Sequence, residues 1–390
     1  MVDFRRDLHM YPELSFEEDE TPKKIAEFLS KLGLEVKTEV GGRGVVGYLK
    51  GGKPGKTVAL RADFDALPIQ DEKDVSYKSR IPGVMHACGH DLHTAALLGV
   101  AKVLSEVKDE IAGNIVFIHQ FAEEKLPGGA KPMIEDGCLD GVDVIYGAHV
   151  SSNAPIGMIS LNDGSLLAAA DSFEIQIQGR GGHGASPHMT VDSVVVGCQL
   201  VMNLQQIVSR KVDPLSPAVV TVGTINAGQN FNVISDTAQI TGTVRTLDEE
   251  VRSLIENEID KIVSSTCAGA DATAKLTYTR GYPDLTNDKK EANRITSLSE
   301  NIFGEDMVSQ VKPIMGGEDF AYYLKEVPGA FFFVGAGNEQ INATYPHHHP
   351  KFDADERSMI NTGKVFIAAI QDYLNTESEV SGQEKVEILR

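Results

Sequence analysis

A chain of 390 residues that is 42% apolar and 24% charged has the composition of a soluble globular protein and enough length for at least two cores. Its net charge of -20, from 36 Lys and Arg against 56 Asp and Glu, repels phosphate backbones, and no basic cluster offsets it, so nucleic acid is excluded as an expected partner. The four cysteines, Cys88, Cys138, Cys198 and Cys267, lack CxxC spacing, which excludes a disulfide framework and a structural zinc knuckle.

Met1 to Tyr11 carries charges within its first turn and no apolar core. Neither a leader peptide nor a spanning helix is expected there, which leaves no membrane association and a cytoplasmic location. Thr21 to Leu32 places Ile25, Phe28, Leu29 and Leu32 on one helical face that Gly33 closes. Apolar runs follow at Val45–Leu49, Thr57–Leu60, Ile115–Ile118 and Val144–Ile145, with a helix over Leu92–Val107 between them. Strands apolar on both faces and separated by helices predict a mixed, mostly parallel sheet with flanking helices.

The pattern changes at Ser172–Ile177, where Phe173, Ile175 and Ile177 alternate with polar residues, as in a sheet with one wet face. A helix over Val191–Val208, strands near Ala218–Ile225 and Ala238–Arg245, a helix over Glu249–Ser264 and a strand around Ala274–Thr279 complete a β-α-β-β-α-β order. That is the ferredoxin-like arrangement. After Tyr282-Pro283 the α/β pattern resumes, with a helix near Ala292–Ile302, a buried strand at Ala330–Val334 and a closing helix at Ser358–Leu374. The expected organisation is a discontinuous α/β domain, residues 1–171 and 282–390, interrupted by a smaller inserted α+β domain, residues 172–281. The polar tail after Asn375 lacks periodicity and is expected to be unstructured.

Residues able to do chemistry collect after the apolar runs. Met85-His86-Ala87-Cys88-Gly89-His90-Asp91-Leu92-His93 concentrates three histidines, a cysteine and an aspartate before a helix. A thiolate and an imidazole separated by one glycine can face one point, as metal ligands must, although buried structural residues or a Cys88 nucleophile with His90 as its base would also fit. Asp63 and Asp65 follow the run Thr57–Leu60, and ligands in open α/β sheets collect at the carboxyl ends of strands. Glu123 and Glu124 follow Ile115–Ile118; adjacent carboxylates in a cleft need a cation, and one can coordinate while the other moves protons. His149 is read as standing at the end of the run that starts at Val144. His347, His348 and His349 lie in a proline-fixed loop, and Met315-Gly316-Gly317-Glu318-Asp319-Phe320 is acidic and glycine-rich. Gly179 to His188 surrounds His183 with glycines that let backbone and imidazole approach a ligand.

Taken in order, FRRDLH with Pro12-Glu13, RADFDALP, MHACGHDLH, Ala122-Glu123-Glu124, GAHV, GRGGHGASPH, GGEDF and HHHPKF resemble the M20 metallopeptidase family, over nearly the whole chain as far as about Asn375. They are most similar to its amidohydrolase branch, with aminoacylase, hippurate hydrolase and auxin-conjugate hydrolase relatives. The resemblance implies a di-metal exopeptidase-like catalytic domain with an inserted ferredoxin-like dimerisation or lid domain. It implies two divalent ions per subunit, Mn2+ or Zn2+ with Co2+ or Ni2+ as substitutes, held by Cys88, His90, Glu124, His149 and His348. Cys88 stands where other branches carry a bridging carboxylate, and His348 is selected by its distance from Pro350 and Phe352. Phe121 replaces a proline usual before the Ala-Glu-Glu step.

By the same resemblance Glu123 is the general base and acid, Asp65 a supporting residue, and His183 an oxyanion donor contributed in trans by a homodimer. Asn232 and Arg245 are the weaker candidates for a substrate carboxylate. The expected activity is hydrolysis of the amide bond of an N-acylated amino acid, with a dipeptidase or aminopeptidase on the same site as the alternative and a non-catalytic metal-binding protein behind both.

Overall fold

The first ordered residues form a helix, α1 (Val2–Met10), whose inner face buries Arg5 and His9 beside Leu8. Charge on a buried face hides this helix from hydrophobic periodicity. It is stable because Asp91 compensates both residues, with Arg5 Nε 2.8 Å and His9 Nδ1 2.7 Å from Asp91 Oδ2. The next helix, α2 (Glu20–Lys31), has its start satisfied from outside. The Glu13 carboxylate accepts the amides of Asp19, Glu20 and Thr21 at 3.0, 2.9 and 2.8 Å, and Ile25 and Leu29, one turn apart, are fully buried.

The computed structural model describes residues 1–381, with side chains through Asn375, and divides them into two units. The first comprises Met1–Leu166, Thr286–Lys312 and the chain from Asp319 on; the second comprises Leu167–Leu285 together with Pro313–Glu318. In chain order the first unit continues with β1 (Glu35–Val40), β2 (Gly44–Lys50), β3 (Lys53–Asp63), α3 (His90–Glu106), β4 (Ala112–Gln120), β5 (Val144–Pro155) and β6 (Ile159–Leu161). The second contains β7 (Ala169–Gln178), α4 (Ser193–Leu204), β8 (Ala218–Ala227), β9 (Thr237–Thr246), α5 (Glu249–Ala268) and β10 (Thr273–Thr279). The chain then adds α6 (Lys289–Phe303), β11 (Val308–Gln310), β12 (Gly329–Gly337) and α7 (Ser358–Ser381) to the first unit.

The sheet of the first unit has eight strands in the order β1-β2-β4-β3-β5-β12-β6-β11. Its centre, β4-β3-β5-β12, is parallel, as is β6-β11, and the other pairs are antiparallel. The parallel core brings the carboxyl ends of β3, β4 and β5 to one edge, which decides where ligands can gather. β4 is buried along nearly its whole length, and α3 buries residues on all sides, which is why both read as continuous apolar runs.

The sheet of the second unit is antiparallel in the order β8-β9-β7-β10. Phe173, Ile175 and Ile177 of β7 pack with Val196, Leu200 and Leu204 of α4 and with Ile255, Ile259 and Val263 of α5. Their neighbours Glu174, Gln176 and Gln178 point to the other face, which is the alternation seen in the sequence. Asp192 and Asp248 cap α4 and α5 through the amides of Val194 and Val251.

One local expectation is overturned. The backbone of α7 stays helical to Ser381, past Asn375, because no glycine or proline interrupts it before Gly382. Residues 382–390, which the same expectation covered, lie outside the described residues. Among the described residues no helix is long and apolar enough to cross a membrane.

Candidate metal centre

Four loops meet at the carboxyl edge of the first unit's parallel core, and three of them pass through left-handed backbone. Gly89 at φ 94 separates Cys88 from His90, Ala122 at φ 50 precedes Glu123, and His348 itself stands at φ 65. At Gly89 a Cβ would also strike the Val150 side chain, so only glycine fits. Ala122 and His348 have no such freedom and are held instead. Glu18 Oε1 accepts the Ala122 amide at 2.9 Å, and the His348 amide donates to the Ala87 carbonyl at 2.8 Å.

His149 corrects an expectation about its position. It lies in the middle of β5, not at its end, because β5 runs through Pro155 while its neighbour β3 stops at Asp63. Beyond Gly147, which pairs with Arg61 of β3, β5 pairs with β12 alone, with His149 opposite Phe333. His149 is therefore level with the end of β3 and faces the space that β3 leaves.

The donor atoms form two trios with one shared member. Cys88, His90 and His149 bring ligand atoms within 4.8 Å of one another, and so do Cys88, Glu124 and His348. Cys88 Sγ is 3.3 Å from His149 Nε2, and His348 Nε2 is 3.2 Å from Glu124 Oε1. His90 Nε2 is buried without a hydrogen bond and lies 3.9 and 4.0 Å from oxygens of Glu124 and Glu123.

Supporting contacts settle which nitrogens are available. His90 Nδ1 lies 2.9 Å from Asp65 Oδ1, and His149 Nδ1 donates to the Val150 carbonyl at 2.7 Å, so each ring turns Nε2 toward the trio. The other Asp65 oxygen accepts the Glu124 amide at 3.0 Å and the Ser15 hydroxyl at 2.7 Å. Asp63 serves elsewhere. It accepts hydrogen bonds from His93 Nδ1 at 2.6 Å and from the Arg61 guanidinium at 2.6 Å, while His93 Nε2 accepts the Val150 amide at 2.9 Å. His93 thus has no lone pair left for a cation, although Asp63, His90 and His93 also lie within ligand distance of one another.

The electrostatics favour positive charge. Burial would lower His90, but the carboxylates of Asp63 and Asp65 outweigh it and hold the ring up at about 10. Burial pushes the Cys88 thiol well above its ordinary range, and Glu124 and Glu123 push the same way. Burial and the neighbouring rings of His93, His347 and His90 keep His149 neutral. A hydrogen bond to Glu124 raises His348. One sulfur, three imidazole nitrogens and a carboxylate, with a bare buried nitrogen among them, fit divalent ions of the zinc, manganese, cobalt and nickel group.

Of the other histidines in the C-terminal triplet, His349 stacks on Tyr345 with ring centres 4.6 Å apart, and its Nδ1 accepts the Lys351 amide. His347 packs against Phe352 at 4.8 Å. In the second unit, His183 is exposed and pairs with Val233 across a two-residue ladder, while the Gly184 amide donates to the Asn232 carbonyl at 2.9 Å. His183 Nδ1 accepts the Ala185 amide at 3.0 Å, so in the neutral ring Nε2 carries the proton and can donate. His183 and Asn232 are thus neighbours. Arg245 is not with them: it lies eight residues along β9 from Thr237, roughly 26 Å at strand rise, and its guanidinium reaches the Thr243 hydroxyl and the Val244 carbonyl. Glu18 gave no signal in the sequence, since a glutamate between two acidic neighbours reads as surface.

The model of Peptidase family M20/M25/M40 matches residues 59–372. A Bacillus subtilis protein named as an amidohydrolase, YhaA, is 53% identical over 373 residues, 96% of this chain and 94% of its own. Thermostable carboxypeptidase 1 of Saccharolobus solfataricus is 43% identical over 359 residues, 91% of either chain. The crystal structure of Bacillus subtilis YXEP, described as a dinuclear metal binding peptidase from the M20 family, matches with a TM-score of 0.84 and 34% identity over 96% of this chain and 98% of its own.

Proposed function

The chain belongs to peptidase family M20/M25/M40, and from that premise we propose that it hydrolyses the amide bond of N-acylated amino acids at a pair of divalent ions. The observation that carries this reading is the sharing of Cys88 between two donor trios, which suits one sulfur bridging two cations. His90 and His149 would complete one set, Glu124 and His348 the other.

These residues would hold two divalent ions, which when bound would make a water acidic enough to ionise near neutral pH and would polarise the scissile carbonyl. Glu123 is buried, adjacent to Glu124 in sequence and within ligand distance of His90, and accepts the proton of the attacking water. As the C–N bond breaks, Glu123 returns that proton to the leaving nitrogen, giving a carboxylic acid and a free amine. Asp65 keeps His90 and the Glu124 backbone in place throughout.

The inserted unit is assigned the remaining roles. His183 of the partner subunit would donate Nε2–H to the developing oxyanion, with its neighbour Asn232 as a partner for the substrate carboxylate; Arg245, set apart from both along β9, would not reach that carboxylate from the same subunit. A homodimer is supported by the outer face of α4, where Val195 and Met202 are 60% and 68% exposed, and by the unpaired edge of β8 beside it. The metal is manganese or zinc, with cobalt or nickel able to replace it.

A second reading has a specific observation behind it, the carboxypeptidase relative at 43% identity. The two share most of their chemistry: a carboxypeptidase cuts the amide of an amino acid that bears a free carboxylate, its acyl group being a peptide. Assay of metal-loaded protein against N-acetyl and N-benzoyl amino acids, N-blocked dipeptides and free dipeptides separates them. Turnover of the simple N-acyl amino acids is expected, and turnover confined to peptides would replace this reading with the second.

A further inference from the structure

Glu18 is fully buried in the turn that leads into α2, and the reaction outlined above does not use it. Its Oε1 accepts the Ala122 amide at 2.9 Å, and Ala122 holds φ 50 immediately before Glu123. On the other side of Glu123, the Glu124 amide is held by Asp65, which in turn is held by the Ser15 hydroxyl. Both supports therefore hang on one short segment. Ser15 fixes the Asp65 loop, Glu18 fixes the Ala122 loop, and between them Phe16, itself at φ 68, packs edge-on against Phe121 with ring centres 5.8 Å apart.

We propose that Glu18 is a positioning residue for amide hydrolysis, holding the Ala122 peptide in the left-handed conformation that aims the Glu123 carboxylate at the attacking water. A base on an unpinned loop would sample many directions, so losing the pin lowers the fraction of bound substrate that meets a correctly placed carboxylate. The Glu124 ligand on the same loop keeps its own support, since its amide donates to Asp65 and not to Glu18. Burial, with the Asp65 charge adding to it, pushes the Glu18 carboxyl up to about 8. The Arg43 guanidinium donates to the Glu18 backbone carbonyl at 2.6 Å, and Lys23 lines the same cleft. Near neutral pH the side chain is thus mostly a neutral acid, and glutamine reproduces both its shape and its accepting oxygen.

The inference rests on the amide-hydrolase reading, so wild-type protein is assayed first; metal-loaded wild type without amide hydrolysis would overturn both. With activity in hand, Glu18→Ala should lower kcat by about tenfold or more while KM and bound metal stay within about twofold, and Glu18→Gln should keep kcat within about threefold of wild type. Glu18→Asp, which withdraws the oxygen by one methylene, should behave like the alanine variant and stands in for it if alanine prevents folding. Unchanged kcat in Glu18→Ala or Glu18→Asp, or a kcat loss in Glu18→Gln as deep as theirs, overturns the inference alone. So does a loss that tracks falling metal content or thermal stability.

Discussion

Asp65 Oδ1 lies 2.9 Å from His90 Nδ1, and this contact leaves His90 Nε2 as the nitrogen that faces Cys88, Glu123 and Glu124. Because its second oxygen holds the Glu124 amide, Asp65 orients two proposed ligands at once, one at the start of α3 and one after β4. Asp65→Ala should therefore weaken metal binding by about 10- to 100-fold, measured by competition with a chelator of known affinity. Wild-type affinity in that variant would show that ligand orientation does not depend on Asp65.

The neighbouring glutamates separate binding from chemistry. Glu123→Gln should retain metal and lose kcat by about three orders of magnitude, whereas Glu124→Ala and His149→Ala should lose metal occupancy as well. Elemental analysis decides. Metal loss in Glu123→Gln with retention in Glu124→Ala would exchange the two assignments.

For His183, the proposal that it acts on the partner subunit makes a numerical prediction. Glu123→Ala and His183→Ala homodimers should each be inactive. Random reassembly of equal amounts makes about half the dimers mixed, each with one complete site, so roughly a quarter of wild-type activity should return. No recovery despite demonstrated subunit exchange contradicts action in trans, and an active His183→Ala homodimer removes the residue from catalysis.

His119 gives a pH dependence whose sign follows from burial. Fully buried at the end of β4, with Thr94 Oγ1 3.3 Å from Nδ1, it is pushed down to about 3 from the ordinary 6.5. The folded protein keeps it neutral while the unfolded chain protonates it below 6.5, so its contribution is complete above 6.5. That contribution is lost as pH falls toward 3, at up to about 1.4 kcal/mol per pH unit. In metal-free protein, His119→Leu should flatten the fall of Tm between pH 6.5 and 4 relative to wild type. An unchanged acid slope would mean that His119 does not remain neutral in the fold.

Much of this architecture is visible in the sequence for definite physical reasons. Residues buried on both faces make β4 and the start of β5 read as apolar runs, and one wet face makes β7 alternate. Glu124 and His149 stand out because they follow those runs, Cys88 and His90 because they crowd the start of α3, and His348 because it lies in a histidine triplet; the fold brings their ligand atoms together. Other features have no local signal. β1 is mostly exposed, so its residues carry no pattern, and α1 is concealed by the charge on its buried face. His149 reads as a strand end because the sequence does not say that β5 outruns β3. The separation of Arg245 from His183 and Asn232 is likewise a matter of position along β9, which composition does not report.

Whether Cys88 and its neighbours hold two cations for amide hydrolysis is decided by titrating chelator-stripped protein with Mn2+ or Zn2+ while following bound metal and hydrolysis of an N-acyl amino acid together. No activity is expected without metal, added ion should restore it up to a plateau at two ions per subunit, and Cys88→Ser should displace that plateau. Full activity in metal-free protein, abolished by alkylation of Cys88 and indifferent to added metal, would contradict that expectation and establish cysteine nucleophile chemistry instead.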